Sequence, residues 1–181
     1  MPELLSVRRH LDGHSEAHLR KNMPEIKRRL PKQVSIQWRK FGHTALTLIE
    51  RGQYLRALEM EGGELASLPP EEIEAIVGEF VKSSLDNKPV RDIKTASTEI
   101  FGSRGHQTVA YILDSPQLAK ERSRLTGLID ELNSQGNDWR AFRPHLTIAS
   151  MMRADEERVR TMFEAIRPVT VNLLPIKVQF K

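Results

Sequence analysis

Two stretches of this chain run through the same order of patterns. His43 leads the apolar-rich run Thr44-Ala45-Leu46-Thr47-Leu48-Ile49, which is followed by a helix pattern and then an extended segment. His145 leads Leu146-Thr147-Ile148-Ala149, again ahead of a helix pattern and an extended segment. The second copy is tighter, because residues 51–68 intervene between strand and helix in the first. Strands that alternate with amphipathic helices, repeated at long period, restrict a chain to sheets packed under helices, in α/β or α+β layers.

Periodicity fills in the rest. Leu19, Met23, Ile26 and Leu30 recur at three and four and predict a helix over 14–30, ended by Pro31. Pro69-Pro70-Glu71-Glu72 opens a second helix with the stripe Ile73, Ile76, Val77, Phe80 and Val81. Proline suits the first turn, and acids suit the positive end of the helix dipole. Ser115-Pro116 opens a third, with Leu118, Leu125, Leu128, Ile129 and Leu132 inward and Gly136 as its stop. A fourth runs over 155–166 with Val159, Met162, Phe163 and Ile166 inward. Strands are expected at Val34-Ser35-Ile36-Gln37-Trp38, at 44–49, at Val109-Ala110-Tyr111-Ile112-Leu113 and from His145. Residues 90–101 read as extended, and 169–180 as a closing strand or hairpin interrupted at Pro175. Residues 53–60 fit a strand and a short helix equally. The division expected is a basic helical extension over 1–32 and a bilobal domain over 33–181.

The chain has 181 residues and no cysteine, which excludes disulfides, thiolate metal sites and a cysteine nucleophile. Its start has no apolar run long enough for a signal peptide, and no stretch approaches the roughly 20 apolar residues of a membrane span. A cytoplasmic protein, without membrane contact and monomeric, is the expectation. The net charge of +4 is concentrated: residues 1–32 hold eight Lys and Arg against four acids. Such an arm suits a polyanion such as RNA, and it equally suits a solvated helix face. His10, His14 and His18 have the i, i+4, i+8 spacing of a metal site. Gly13 interrupts the helix they would need, and no fourth ligand is evident, so no metal is expected.

The chemistry concentrates in Phe142-Arg143-Pro144-His145-Leu146-Thr147-Ile148-Ala149. On a strand His145 and Thr147 point to one face, about 6–7 Å apart along the chain, while Leu146 and Ile148 anchor the other. If the two halves are equivalent, a pseudo-two-fold axis brings His43 to His145. Two imidazoles flanking one phosphate can share acid and base duty. A neutral one deprotonates the attacking water, and a protonated one donates to the leaving ribose oxygen, both forms being populated near histidine's ordinary pKa of about 6.5. Thr147 and Arg143 could hold the non-bridging oxygens. The scheme needs no metal and no other cofactor.

These residues resemble the 2H phosphoesterase superfamily, which contains the bacterial RNA 2′,3′-cyclic phosphodiesterases, also called 2′-5′ RNA ligases. The family's signature is a pair of His-x-Thr/Ser-x motifs on strands of two lobes. Phe142 to Ala149 is similar to the second motif with its flanks. Pro69-Pro70-Glu71-Glu72-Ile73, then Phe101-Gly102-Ser103-Arg104-Gly105 before Thr108-Val109-Ala110-Tyr111, is similar to the middle section. The resemblance covers roughly 33–181. It implies an α+β fold with two pseudo-symmetric α/β lobes, antiparallel sheets flanking a central cleft and helices outside. It further implies hydrolysis of a 2′,3′-cyclic phosphate at an RNA end or in a related nucleotide, with His43 and His145 catalytic. A non-catalytic RNA- or nucleotide-binding protein of the same fold is the alternative.

The first motif departs from the pattern. His43-Thr44-Ala45-Leu46 has alanine where the family has a hydroxyl, and Thr47 lies about 13 Å along the strand from His43. His106-Gln107-Thr108-Val109 also fits His-x-Thr-x and is a rival first motif. The repeat favours His43, because the strand and helix after His106 run directly into the strand of His145. Phe41 and Phe142, each beside one of these histidines, are the aromatic residues expected to stack a base.

Overall fold

The computed structural model describes residues 5–29, 35–38, 45–49, 68–102, 107–131, 143–152 and 155–180. Among them are seven strands: β1 (Leu5–Leu11), β2 (Ser35–Trp38), β3 (Ala45–Ile49), β4 (Val90–Phe101), β5 (Gln107–Asp114), β6 (His145–Met152) and β7 (Thr170–Phe180). Four helices accompany them: α1 (Gly13–Arg29), α2 (Pro70–Ser84), α3 (Pro116–Glu131) and α4 (Glu156–Ala165). The strands form one antiparallel sheet in the order β2-β6-β5-β4-β7-β1-β3. The class is therefore α+β.

Local residues start the helices, two of them by giving a free backbone N–H of the first turn a partner. Asp12 precedes α1 and accepts from the Ser15 amide (2.8 Å), while its other oxygen accepts from the Asn172 side chain on β7 (3.0 Å). Burial works against the Asp12 charge, but these hydrogen bonds outweigh it and hold its pKa below the ordinary value. Asp155 caps α4 by accepting from the Arg158 amide (3.2 Å). In α2, Pro69 and Pro70 fill the positions where a missing N–H costs nothing. Ile76 of α2, expected inward, is exposed, and the other stripe residues supply the buried ones: Leu19, Met23 and Ile26; Ile73, Val77 and Val81; Leu118 and Leu125; Val159 and Phe163.

All of these join the core formed by one face of the sheet: Val7 and Leu11 of β1, Ile93 of β4, Val109, Tyr111 and Leu113 of β5, Leu146, Ile148 and Met151 of β6, and Val171, Leu173 and Ile176 of β7. Tyr111 sends its hydroxyl to the Phe163 carbonyl of α4 (3.0 Å), and burial raises its pKa. Glu164 of α4 accepts from both the amide (2.9 Å) and the hydroxyl (2.5 Å) of Thr98 on β4.

The packing revises the expected division at residue 33. Residues 5–11 are not part of a helical extension. They form a strand hydrogen-bonded to β7 on one side and to β3 on the other. The buried side of α1 belongs to the same core as the rest of the chain. Arg9, counted in the basic arm, is fully buried and pairs with Glu121 of α3. His10 lies in β1 while His14 and His18 lie on α1, so the three do not share a helix face.

Candidate active site

The face of the sheet away from the core is set by register. β6 carries an extra residue relative to β5: Val109 pairs with Ala149, but Ala110 pairs with Thr147. A bulge of this kind turns two successive residues to the same side. Here Ile148 and Ala149 both go to the core, and the half-buried residues of β6 are His145, Thr147 and Ser150. Combining the β4–β5 and β5–β6 registers gives three rows across this face. Ser97, Ile112 and His145 form one, Glu99, Ala110 and Thr147 the next, and Phe101, Thr108 and Ser150 the third.

His145 is held at one nitrogen. Its Nδ1 lies 2.9 Å from the Arg143 carbonyl oxygen. A carbonyl only accepts, so Nδ1 carries the proton and donates, which leaves Nε2 as the nitrogen through which a proton can be gained or lost. The Phe101 ring packs against the imidazole, with centroids 5.4 Å apart and planes at 56°. Pro144, buried between Arg143 and His145, offers its carbonyl to the Leu113 amide (2.8 Å), which fixes the entry to β6.

The Arg143 side chain is more than half exposed, at 56%, and its guanidinium is paired: Nη1 donates to Glu99 Oε2 (2.8 Å) and Nη2 to Glu99 Oε1. The positive charge is paired with a carboxylate on β4. Glu99 and Phe101 are the residues at this site that linear spacing could not find. Only the two registers across β5 bring them beside β6.

His43 and His106 lie outside the described residues, as do Phe41 and Phe142. The strand that follows His43 is described. In β3, Leu46 pairs with the core residue Arg9, and positions 45 and 47 pair with His10 and Arg8. β3 is at one end of the strand order and β6 is next to the other end, yet the two strands are in contact. The sheet curls enough to bring them together.

Among the described residues no group of three or more His, Asp or Glu is placed to hold a metal ion, and no helix is long and apolar enough to cross a membrane.

No protein-family model matches the chain, and no curated protein matches it. A solved structure does: Usb1 of Kluyveromyces marxianus is similar, with a TM-score of 0.54 over 97% of this chain and 93% of that one, at 11% sequence identity. At that identity the likeness establishes the fold.

Proposed function

We propose that this chain is a metal-independent phosphoesterase of the 2H type. Its substrate is a 2′,3′-cyclic phosphate at an RNA end or a related cyclic nucleotide. His43 and His145 divide the proton transfers at that phosphate. One imidazole takes a proton from water as that water attacks phosphorus. The other returns a proton to the ribose oxygen as its bond to phosphorus breaks. Thr147 donates its hydroxyl to a non-bridging oxygen, where a hydrogen bond to a charged acceptor counts most.

The observation that carries this reading is the bond between His145 Nδ1–H and Arg143 O, which leaves proton exchange to Nε2, with Thr147 next on the same face. A base or acid with its second nitrogen already committed is oriented for transfer through the first. The contact between β3 and β6 supports the partner assignment, because His43 stands two residues ahead of Ala45 in the sequence. The Usb1-like fold is compatible with the same reading.

The test is hydrolysis of a dinucleotide 2′,3′-cyclic phosphate in the presence of EDTA. Turnover should persist, and His145→Ala and His43→Ala should each lower kcat by about 10²–10⁴-fold. Activity that survives His145→Ala, or that EDTA removes, overturns the mechanism. Loss in His106→Ala with retention in His43→Ala moves the first motif.

Ala45 favours a second reading, in which the protein binds a nucleotide or RNA without turning it over. That form predicts salt-dependent RNA binding with no product. Ala45→Thr separates the two: a gain in kcat without tighter binding identifies a working enzyme that lacks one hydroxyl.

A further inference from the structure

We infer that Glu99 and the Arg143 side chain act together as a latch that positions His145, and that Arg143 is not a ligand of the substrate phosphate. The role assigned to His145 rests on the function proposed above. The latch itself rests on contacts of the two residues ahead of β6 with groups of β4, β5 and β6.

Four hydrogen bonds fix the two residues ahead of β6. The Pro144 carbonyl is tied to the Leu113 amide of β5 at 2.8 Å. The Arg143 guanidinium is tied to β4 through both oxygens of Glu99. The Arg143 carbonyl, between these anchors, receives Nδ1–H of His145 at 2.9 Å. A residue before proline is already confined to extended backbone, so few torsions remain for that carbonyl to turn. The paired fork of an arginine with a carboxylate adds direction as well as attraction. Phe101 lies against the imidazole and limits its rotation.

Charge leads to the same assignment. Glu99 stands in the row of Ala110 and Thr147, on the face where an anionic phosphate would sit. A bare carboxylate there would repel it. Arg143 cancels that charge only while it stays on Glu99. An arginine that left to grip the phosphate would uncover a negative charge beside it. The pair therefore serves the site intact, with the backbone carbonyl of Arg143, not its guanidinium, as the working group.

Removing either partner should let the carbonyl turn and the imidazole sample both tautomers. The readout that does not depend on turnover is the ¹⁵N spectrum of the His145 ring at a pH where it is neutral. The wild-type protein should show the Nδ1–H form. Glu99→Gln, Glu99→Ala and Arg143→Ala should each show a mixture. In the cyclic phosphate assay each single variant should lower kcat by about ten-fold with KM within two-fold, and Glu99→Ala/Arg143→Ala should be no worse than either alone. A wild-type tautomer in Glu99→Ala overturns the latch. So does a raised KM with unchanged kcat in Arg143→Ala together with a lowered KM in Glu99→Ala, the signature of a phosphate ligand set free. If no cyclic phosphate is turned over by any form of the protein, the proposed function fails and the tautomer spectra alone decide the latch.

Discussion

Thr147 tests the site at the scale of one atom. It is half-buried on the side of β6 that carries His145, and its neighbours Leu146 and Ile148 are fully buried, so the strand is anchored without it. Replacing its hydroxyl by a methyl keeps shape and β-branching while removing one donor to a charged oxygen. A hydrogen bond of that kind contributes about 1.5–3 kcal/mol, or roughly 10–150-fold in rate if it strengthens in the transition state. Thr147→Val should therefore lower kcat by that range with an unchanged unfolding midpoint, and Thr147→Ser should keep most of the activity. Steady-state kinetics with a cyclic phosphate checks both, and a Thr147→Val enzyme as fast as wild type would remove Thr147 from the site. That His145 and Thr147 share one face of β6 was legible in the sequence because alternation on a strand is a local rule. Glu99 was not, because no local rule links a residue on β4 to one two strands away.

At the scale of elements, Asp12 joins α1 to the sheet by capping Ser15 and receiving Asn172. Losing an aspartate cap costs about 1 kcal/mol. The sign of its pH dependence follows from its lowered pKa. A carboxylate held below 3.8 contributes stability that is fully present above 3.8 and is lost as pH falls through the folded-state value. Asp12→Ala should be less stable than wild type at neutral pH, and the gap should close only below about pH 3.8, as read from urea unfolding across pH. A gap that persists unchanged at pH 2 would show that the charge plays no part. The four helices were legible because their stops and starts are local: Pro69-Pro70-Glu71-Glu72 and Asp155 each act within one turn. β7 was legible except for its continuity. Pro175 does not break it, because the β1–β7 register steps from Leu11–Leu173 to Arg9–Ile176 and so passes over the proline at an irregularity. There its missing N–H is not needed. β1 was hidden by its own composition. Val7, Arg9 and Leu11 alternate as a strand should, but a charge at the central core position reads as part of a basic arm until Glu121 supplies its partner.

For the whole molecule, that pair is the tie on which the sheet's order depends. Arg9 Nε and Nη2 donate to the two oxygens of Glu121 at 2.8 Å each, and Nη1 donates to the carbonyls of Lys88 and Leu174 at 2.9 Å. One side chain thus links β1 to α3, to the segment after α2 and to β7. Deleting residues 1–32 would remove an interior strand and leave the 5%-exposed Glu121 with its charge uncompensated, so it should abolish folding and not merely trim a tail. Point variants separate the ion pair from the strand. Breaking a buried pair at one end costs about 3–5 kcal/mol, whereas replacing both ends with apolar groups of similar size is often close to neutral. Arg9→Met should therefore lower the urea midpoint sharply, and adding Glu121→Leu should restore much of it. The restoration should be incomplete, because methionine cannot donate to Lys88 O and Leu174 O. Each carbonyl left without its donor in the interior costs about 1–3 kcal/mol unless water reaches it. Full recovery in the double variant would mean that those carbonyls find solvent, and no recovery at all would mean that the guanidinium's bonds to the backbone, not its pairing with Glu121, hold β1 between β7 and β3.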